Sequence, residues 1–171
     1  SPDVPHKTRR QYAACIKAVD DGVGKIVEAL KARGVLDDTI IMFTADHGEM
    51  LLDHNLIGKS VAYEPSIHVP FFVCGPGIEG NRTRSALTEL IDIPETICDL
   101  AGTGRRDFVD GLSVDHILSG RGTEHRSHIV SSLHSWNTIR TETHKLVDSI
   151  NDTPELYDLE SDPAEMTNLV R

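Results

Sequence analysis

Apolar residues recur along the first part of the chain at alternating spacings of four and three: Tyr12, Ile16, Val19, Val23, Ile26 and Leu30. That period places them on one stripe of a long amphipathic helix. Lys31 and Arg33 fall in its last turn, where cations complement the helix dipole, and Gly34 is placed to stop it in the left-handed conformation. After a turn at Asp37 and Asp38, residues 39–45 form a continuous apolar run rich in β-branched side chains. Such a run predicts a strand buried on both faces. Residues 68–74 predict a second buried strand, stopped by Gly75-Pro76-Gly77, and residues 86–91 are a third short apolar run. Asp92 and Glu95 predict a capping box for a helix running through Ile97 and Leu100 to Gly102. Helix, short turn and buried strand make half of an α/β repeat, so the pattern predicts part of a parallel or mixed sheet with flanking helices.

Beyond Gly102 the period changes. Gly, Arg, Asp and Ser cluster to about residue 127, broken by a short apolar pattern at 112–118. Brief strand-like runs follow at 127–133, 138–141, 145–147 and 155–159, which predict a small antiparallel sheet. The chain therefore divides into residues 1–102, an α/β unit, and residues 103–171, a small antiparallel-sheet subdomain. Trp136, the one tryptophan, belongs either to a core or to the lining of a substrate entrance.

Composition narrows the function classes. The 171 residues carry a formal net charge of -10 and a sequence pI of about 5.3, which argues against nucleic-acid binding. An anionic small molecule stays open, because a few local cations can dominate a pocket inside an acidic protein. The apolar runs are far too short to span a bilayer, and the opening SPDVPHKTRRQY has no apolar core of the signal-peptide kind. Cys15, Cys74 and Cys98 are odd in number and flanked by apolar residues, and read as buried free thiols. Asn81-Arg82-Thr83 and Asn151-Asp152-Thr153 fit the glycosylation acceptor pattern, which also arises often by chance.

The chemistry concentrates after the first predicted strand, where α/β folds place their sites. Asp46-His47-Gly48 sets a carboxylate and an imidazole at a strand end, with a glycine that permits a tight turn, so both can face one cation; a hydrogen-bonded turn is the alternative for such a pair. Lys59, twelve residues after His47, stands where it can hold an anionic group against that cation by Coulomb attraction. Other polar residues read as structural. His54 pins the loop by hydrogen bonds, His68 sits at a strand edge, His6 lies in a linker before the long helix, and Asp20 and Asp21 form a solvated face.

The run from Thr44 through Asp46-His47-Gly48-Glu49 to Gly58-Lys59, then Tyr63-Glu64-Pro65 to Val73 and Gly75-Pro76-Gly77, closely resembles the sulfatase family of the alkaline phosphatase superfamily. Residues 12–26, 90–102 and 139–169, the last including Glu155-Leu156-Tyr157-Asp158-Leu159, resemble further segments of that family in its own order. The resemblance implies an alkaline-phosphatase-like α/β sandwich fragment followed by the small α+β subdomain. It implies Asp46 and His47 as ligands of a divalent cation and Lys59 as the sulfate contact. Calcium is the cation commonly assigned to an Asp-His pair in the family, while the imidazole leaves manganese, magnesium or zinc open. Arg140 and Lys145 resemble a pattern that packs and docks the small sheet.

The family's nucleophile is a formylglycine made from the first residue of Cys/Ser-x-Pro-x-Arg. No cysteine or serine here has both that proline and that arginine. The reading is accordingly a segment of a longer enzyme that cleaves sulfate esters of small molecules or glycans, inactive by itself, with formylglycine expected upstream. A phosphonate or phosphate ester hydrolase of the same superfamily is one alternative, and a non-catalytic interaction domain is another, disfavoured by the intact Asp46-His47-Lys59 set. The resemblance also implies a periplasmic, secreted or lysosomal setting. An apolar strand edge near residues 39–45, if unpaired, would favour self-association.

Overall fold

A computed structural model describes residues 4–104, 106–107, 109–150 and 152–170. The long helix α1 spans Val4–Ala32 and takes in His6, which is helical rather than part of a linker. Its end is a Schellman motif: the Val35 N–H donates to the Leu30 carbonyl at 3.1 Å and the Gly34 N–H to that of Lys31 at 2.9 Å. Gly34 takes φ +68°, which a residue with a Cβ adopts at a cost. The apolar stripe of α1 is open to solvent, with Ile16 55% and Ile26 60% exposed.

A 3₁₀ turn at Leu36–Asp38 leads into β1 (Ile41–Thr44), which pairs antiparallel with β2 (Phe71–Cys74). Two expectations need correction. Among the described residues no strands pair in parallel, and β1 and β2 form a sheet of their own with two strands. A parallel neighbour requires a crossover, whereas residues 45–70 loop back through the one-turn helix α2 (Glu64–Ile67) and re-enter alongside β1. Neither strand is buried on both faces, since Phe72 is 66% exposed and Phe43 packs against it with ring centroids 6.2 Å apart. A two-stranded ribbon has too few neighbours to cover two apolar faces.

The helix α3 (Asp92–Leu100) closes with the same device as α1, Thr103 N–H to Cys98 O at 3.0 Å and Gly102 N–H to Asp99 O at 3.0 Å. Its expected capping box is not formed. Asp92 instead accepts from the Glu89 and Leu112 N–H groups at 2.9 and 2.8 Å, from His125 at 3.1 Å and from Arg126. Glu95 takes the Arg106 guanidinium, with Nε at 2.6 Å. Both carboxylates are buried, and charged donors across the fold hold them more strongly than a helix terminus would. Burial opposes the charged form of Asp92, but the bonds from Arg126 and the two backbone N–H groups hold its pKa below the ordinary range. The short α4 (Asp115–Leu118) rests on α3, where Thr96 Oγ1 accepts from the Val114 N–H at 3.0 Å. The run at 86–91 forms no strand; Leu87 makes a single bridge to Arg126.

The last four strands are β3 (Ile129–Leu133), β4 (Trp136–Arg140), β5 (His144–Ser149) and β6 (Glu155–Asp158), joined in chain order as an antiparallel meander. Alternation gives the sheet one inner face: Trp136, Thr138, Lys145 and Val147 are buried while Asn137, Ile139 and Leu146 face out. Trp136 and Val147 pack on Ala62, with Ile67 and Leu133 at the margin, so this core joins the sheet to the loop that follows Lys59. The three cysteines are free, but Cys15 and Cys74 are exposed and Cys98 half-buried, against the expectation of buried thiols. They sit on α1, β2 and α3, none of which is covered on all sides. Asn81 lies in an exposed turn, and Asn151 falls outside the described residues. None of the helices described is long and apolar enough to cross a membrane.

Candidate metal and anion site

The site is built on the loop between β1 and α2. Gly48 crosses so close to the α2 backbone that a Cβ there would lie 1.9 Å from the Pro65 carbonyl oxygen. That approach lets the Gly48 N–H donate to Ser66 O at 2.8 Å and the Glu49 N–H to Pro65 O at 2.9 Å. The loop is thereby closed at its base, directly beside the two candidate ligands.

His47 is oriented from both sides of its ring. Nδ1 donates to the Gly48 carbonyl at 2.8 Å, which leaves the Nε2 lone pair free to accept. Nε2 lies 3.5 Å from Asp46 Oδ2 and in contact with the Lys59 ammonium. The backbone N–H of His47 donates to Asp46 Oδ1 at 3.0 Å, turning the carboxylate toward the ring. The Asp46 side chain is 87% exposed and that of His47 38%, so both are accessible to an ion from solvent. The structure thus brings together Asp46, His47 and Lys59. One carboxylate oxygen and one imidazole nitrogen suit a divalent cation as part of a ligand shell. Among the described residues no group of three or more His, Cys, Asp or Glu side chains is arranged to hold a metal.

Residues beyond these three shape the site. Glu49 Oε1 accepts from the Gly58 N–H at 2.6 Å and from the Leu51 N–H at 3.3 Å, while the Met50 N–H donates to Gly58 O at 2.8 Å. Glu49 therefore ties the residue before Lys59 back to the Asp-His strand end. Only its place after Asp46-His47-Gly48 marks it in the sequence. Leu51, Leu52, His54 and Asn55 all take positive φ, between +48° and +74°, in a tight loop where none is glycine. His54 Nε2 bonds Ala164 O at 2.9 Å and its ring stacks on Tyr63 at 3.9 Å, so this histidine pins the loop.

The far side of the loop is fastened to the small sheet by charge. Lys145, without exposed surface, donates to Ala62 O at 2.7 Å, reaches Glu64 at 3.4 Å and forms an ion pair with the equally buried Glu165. Glu165 accepts the Glu64 N–H at 2.7 Å, and Arg140 Nε approaches Glu64 at 3.2 Å. Burial works against the Glu64 carboxylate, but His68, Lys145 and Arg140 outweigh it and bring its pKa down to about 2. The hydrogen bond that His68 donates to Glu64 in turn raises His68 above the ordinary histidine value. His68 is thus an exposed partner of Glu64 just before β2.

The sulfatase family model matches residues 2–103. The chain belongs to the sulfatase family. It is 35% identical to arylsulfatase K of Gallus gallus over 174 aligned residues, which cover 92% of this chain and 32% of that protein. The structure of BT4656 in complex with its substrate D-glucosamine-2-N,6-O-disulfate is 30% identical, with a TM-score of 0.89 over 94% of this chain and 35% of that one. The phosphonate monoester hydrolase of Agrobacterium radiobacter is 32% identical, with a TM-score of 0.79 over 90% of this chain and 35% of that one. This sulfatase chain therefore spans about a third of the length of the relatives it matches.

Proposed function

We propose that this chain contributes a cation and anion half-site to an enzyme that hydrolyses sulfate esters of small molecules or glycans. The observation that carries the reading is the meeting of Asp46, His47 and Lys59 at one strand end. Asp46 and His47 would hold a divalent cation, with calcium the first candidate and manganese, magnesium or zinc compatible with the imidazole. When bound, such an ion supplies Lewis-acid polarisation of the oxygens on the transferred group. Gly48 keeps His47 in the tautomer that presents Nε2, through its carbonyl. The Lys59 ammonium neutralises negative charge on the tetrahedral anion, more strongly as water is excluded. The nucleophile, a formylglycine in this reading, comes from residues outside this sequence.

Calorimetry on the chain tests this. Calcium or manganese binding that is lost in the Asp46→Ala, His47→Ala double variant supports the ligand assignment, and cation binding that survives the double variant sinks it. Sulfate binding is expected to be lost in Lys59→Ala.

A second reading has a specific observation behind it, the likeness to a phosphonate monoester hydrolase. The same three residues would serve a phosphonate monoester. A sulfate monoester that competes with inorganic sulfate better than the matching phosphonate monoester favours the sulfatase reading, and the reverse order favours the second.

A further inference from the structure

Lys59 is held at both neighbouring peptides. On one side Gly58 is tied by Glu49 and Met50. On the other, Ser60 takes φ +80°, a left-handed conformation that costs a non-glycine residue about 1 kcal/mol and needs an outside restraint. The restraint is visible: the Ser60 carbonyl accepts a hydrogen bond from Trp136 Nε1 at 3.0 Å. Trp136 is 9% exposed and lies in the core with Ala62 and Val147. An indole N–H is a donor only, and a buried one requires an acceptor. Here the acceptor is a backbone carbonyl one residue from the lysine. Core filling alone does not explain that choice, because an aliphatic residue or phenylalanine would pack on Ala62 without fixing Ser60.

We propose that Trp136 is a positioning residue for Lys59. Its N–H locks the Ser60 peptide and so fixes the backbone from which the Lys59 ammonium reaches the Asp46-His47 strand end, and the C-terminal sheet thereby sets the anion affinity of the site. This rests on the reading of Lys59 as the anion contact. The sheet reaches the same stretch a second time through Lys145 and the Ala62 carbonyl, so strand register in β4 and β5 is transmitted to the loop.

The test compares wild type with Trp136→Phe, Lys59→Ala and Val147→Ala. Trp136→Phe keeps an aromatic ring in the core but removes the donor together with part of the indole volume, whereas Val147→Ala loosens the same core without touching the Ser60 bond. The first readout is the His47 Cε1–H NMR cross-peak at fixed pH, assigned with His47→Ala. In Trp136→Phe it is expected to move toward its position in Lys59→Ala, and in Val147→Ala to stay at the wild-type position. The second is binding of inorganic sulfate, expected to weaken about fivefold in Trp136→Phe, the worth of one hydrogen bond. Melting temperatures establish that each variant is folded. A His47 peak unmoved by Trp136→Phe, or moved equally by Val147→Ala, overturns the proposal. Sulfate affinity lost in Lys59→Ala but unchanged in Trp136→Phe overturns it too. If Lys59→Ala binds sulfate as wild type does, the function reading fails, and the His47 peak still judges the clamp.

Discussion

At Gly48 and Glu49 the site depends on atoms that shape the loop between Asp46 and Lys59. A Cβ on residue 48 would collide with the Pro65 carbonyl at 1.9 Å, and the obstacle is backbone, which cannot swing aside. Gly48→Ala is therefore expected to lower stability by about 2–3 kcal/mol, in the upper range for overpacking. A urea melt with a lower midpoint and an unchanged slope would check it. Glu49→Ala leaves the Gly58 N–H without its carboxylate acceptor. The expected cost is about 1–2 kcal/mol in the same melt, with weaker sulfate binding and unchanged cation binding. A Glu49→Ala protein as stable as wild type would show that water replaces the carboxylate.

Among elements, the four-stranded sheet and the loop after Lys59 are joined by a buried ion pair. Removing one partner strands the other: Lys145→Met leaves the Glu165 carboxyl group without its cation and without exposed surface. The expected destabilisation is about 3–5 kcal/mol, and the double variant Lys145→Met, Glu165→Gln should recover much of it. A double variant no more stable than the single one would contradict that account. The helix α1 presents the opposite situation. Its apolar stripe is exposed, and its polar links to the site loop are Arg9 to Leu51 O at 3.2 Å and to Asp53 at 2.9 Å, both at the surface. Helical stability comes mostly from packing an apolar face. Amides of residues 12–26 are accordingly expected to exchange with solvent faster than those of β4 and β5, and equal protection would refute this.

For the whole molecule, Glu64 links loop, sheet and pH. Its pKa falls from 4.5 to about 2 on folding, so its contribution is present above pH 4.5 and is lost as pH drops toward 2. The half-buried carboxylate is expected to add up to about 3 kcal/mol across that window. His68 has the opposite sign: its raised pKa gives stability present below 6.5 that fades as pH rises through the folded value. Circular dichroism melts from pH 2 to 8 should find a steep acid limb, flattened in Glu64→Gln. An unchanged acid limb in that variant would rule out Glu64 as its source.

Local physics was legible in the sequence wherever it is local in the structure. The three–four spacing of 12–30 makes α1, Gly34 and Gly102 end helices, and the short runs at 138–141 and 145–147 fall in strands of the antiparallel sheet. That Asp46, His47 and Lys59 stand close together follows from a strand end, a glycine and a short loop, whereas their roles as ligands and anion contact came from the resemblance to the family. What tertiary structure alone decided is who meets whom across distance. The same apolar runs that suggested twice-covered strands form an antiparallel ribbon with an open face, since burial depends on neighbours a run of residues does not name. Asp92 has the right spacing for a cap, yet Arg126 and His125 take it, because a buried charge goes to its strongest donors. Trp136 could be placed in the core only once Ser60, 76 residues earlier, stood beneath its N–H, a pairing that hydrophobic period and residue type cannot encode.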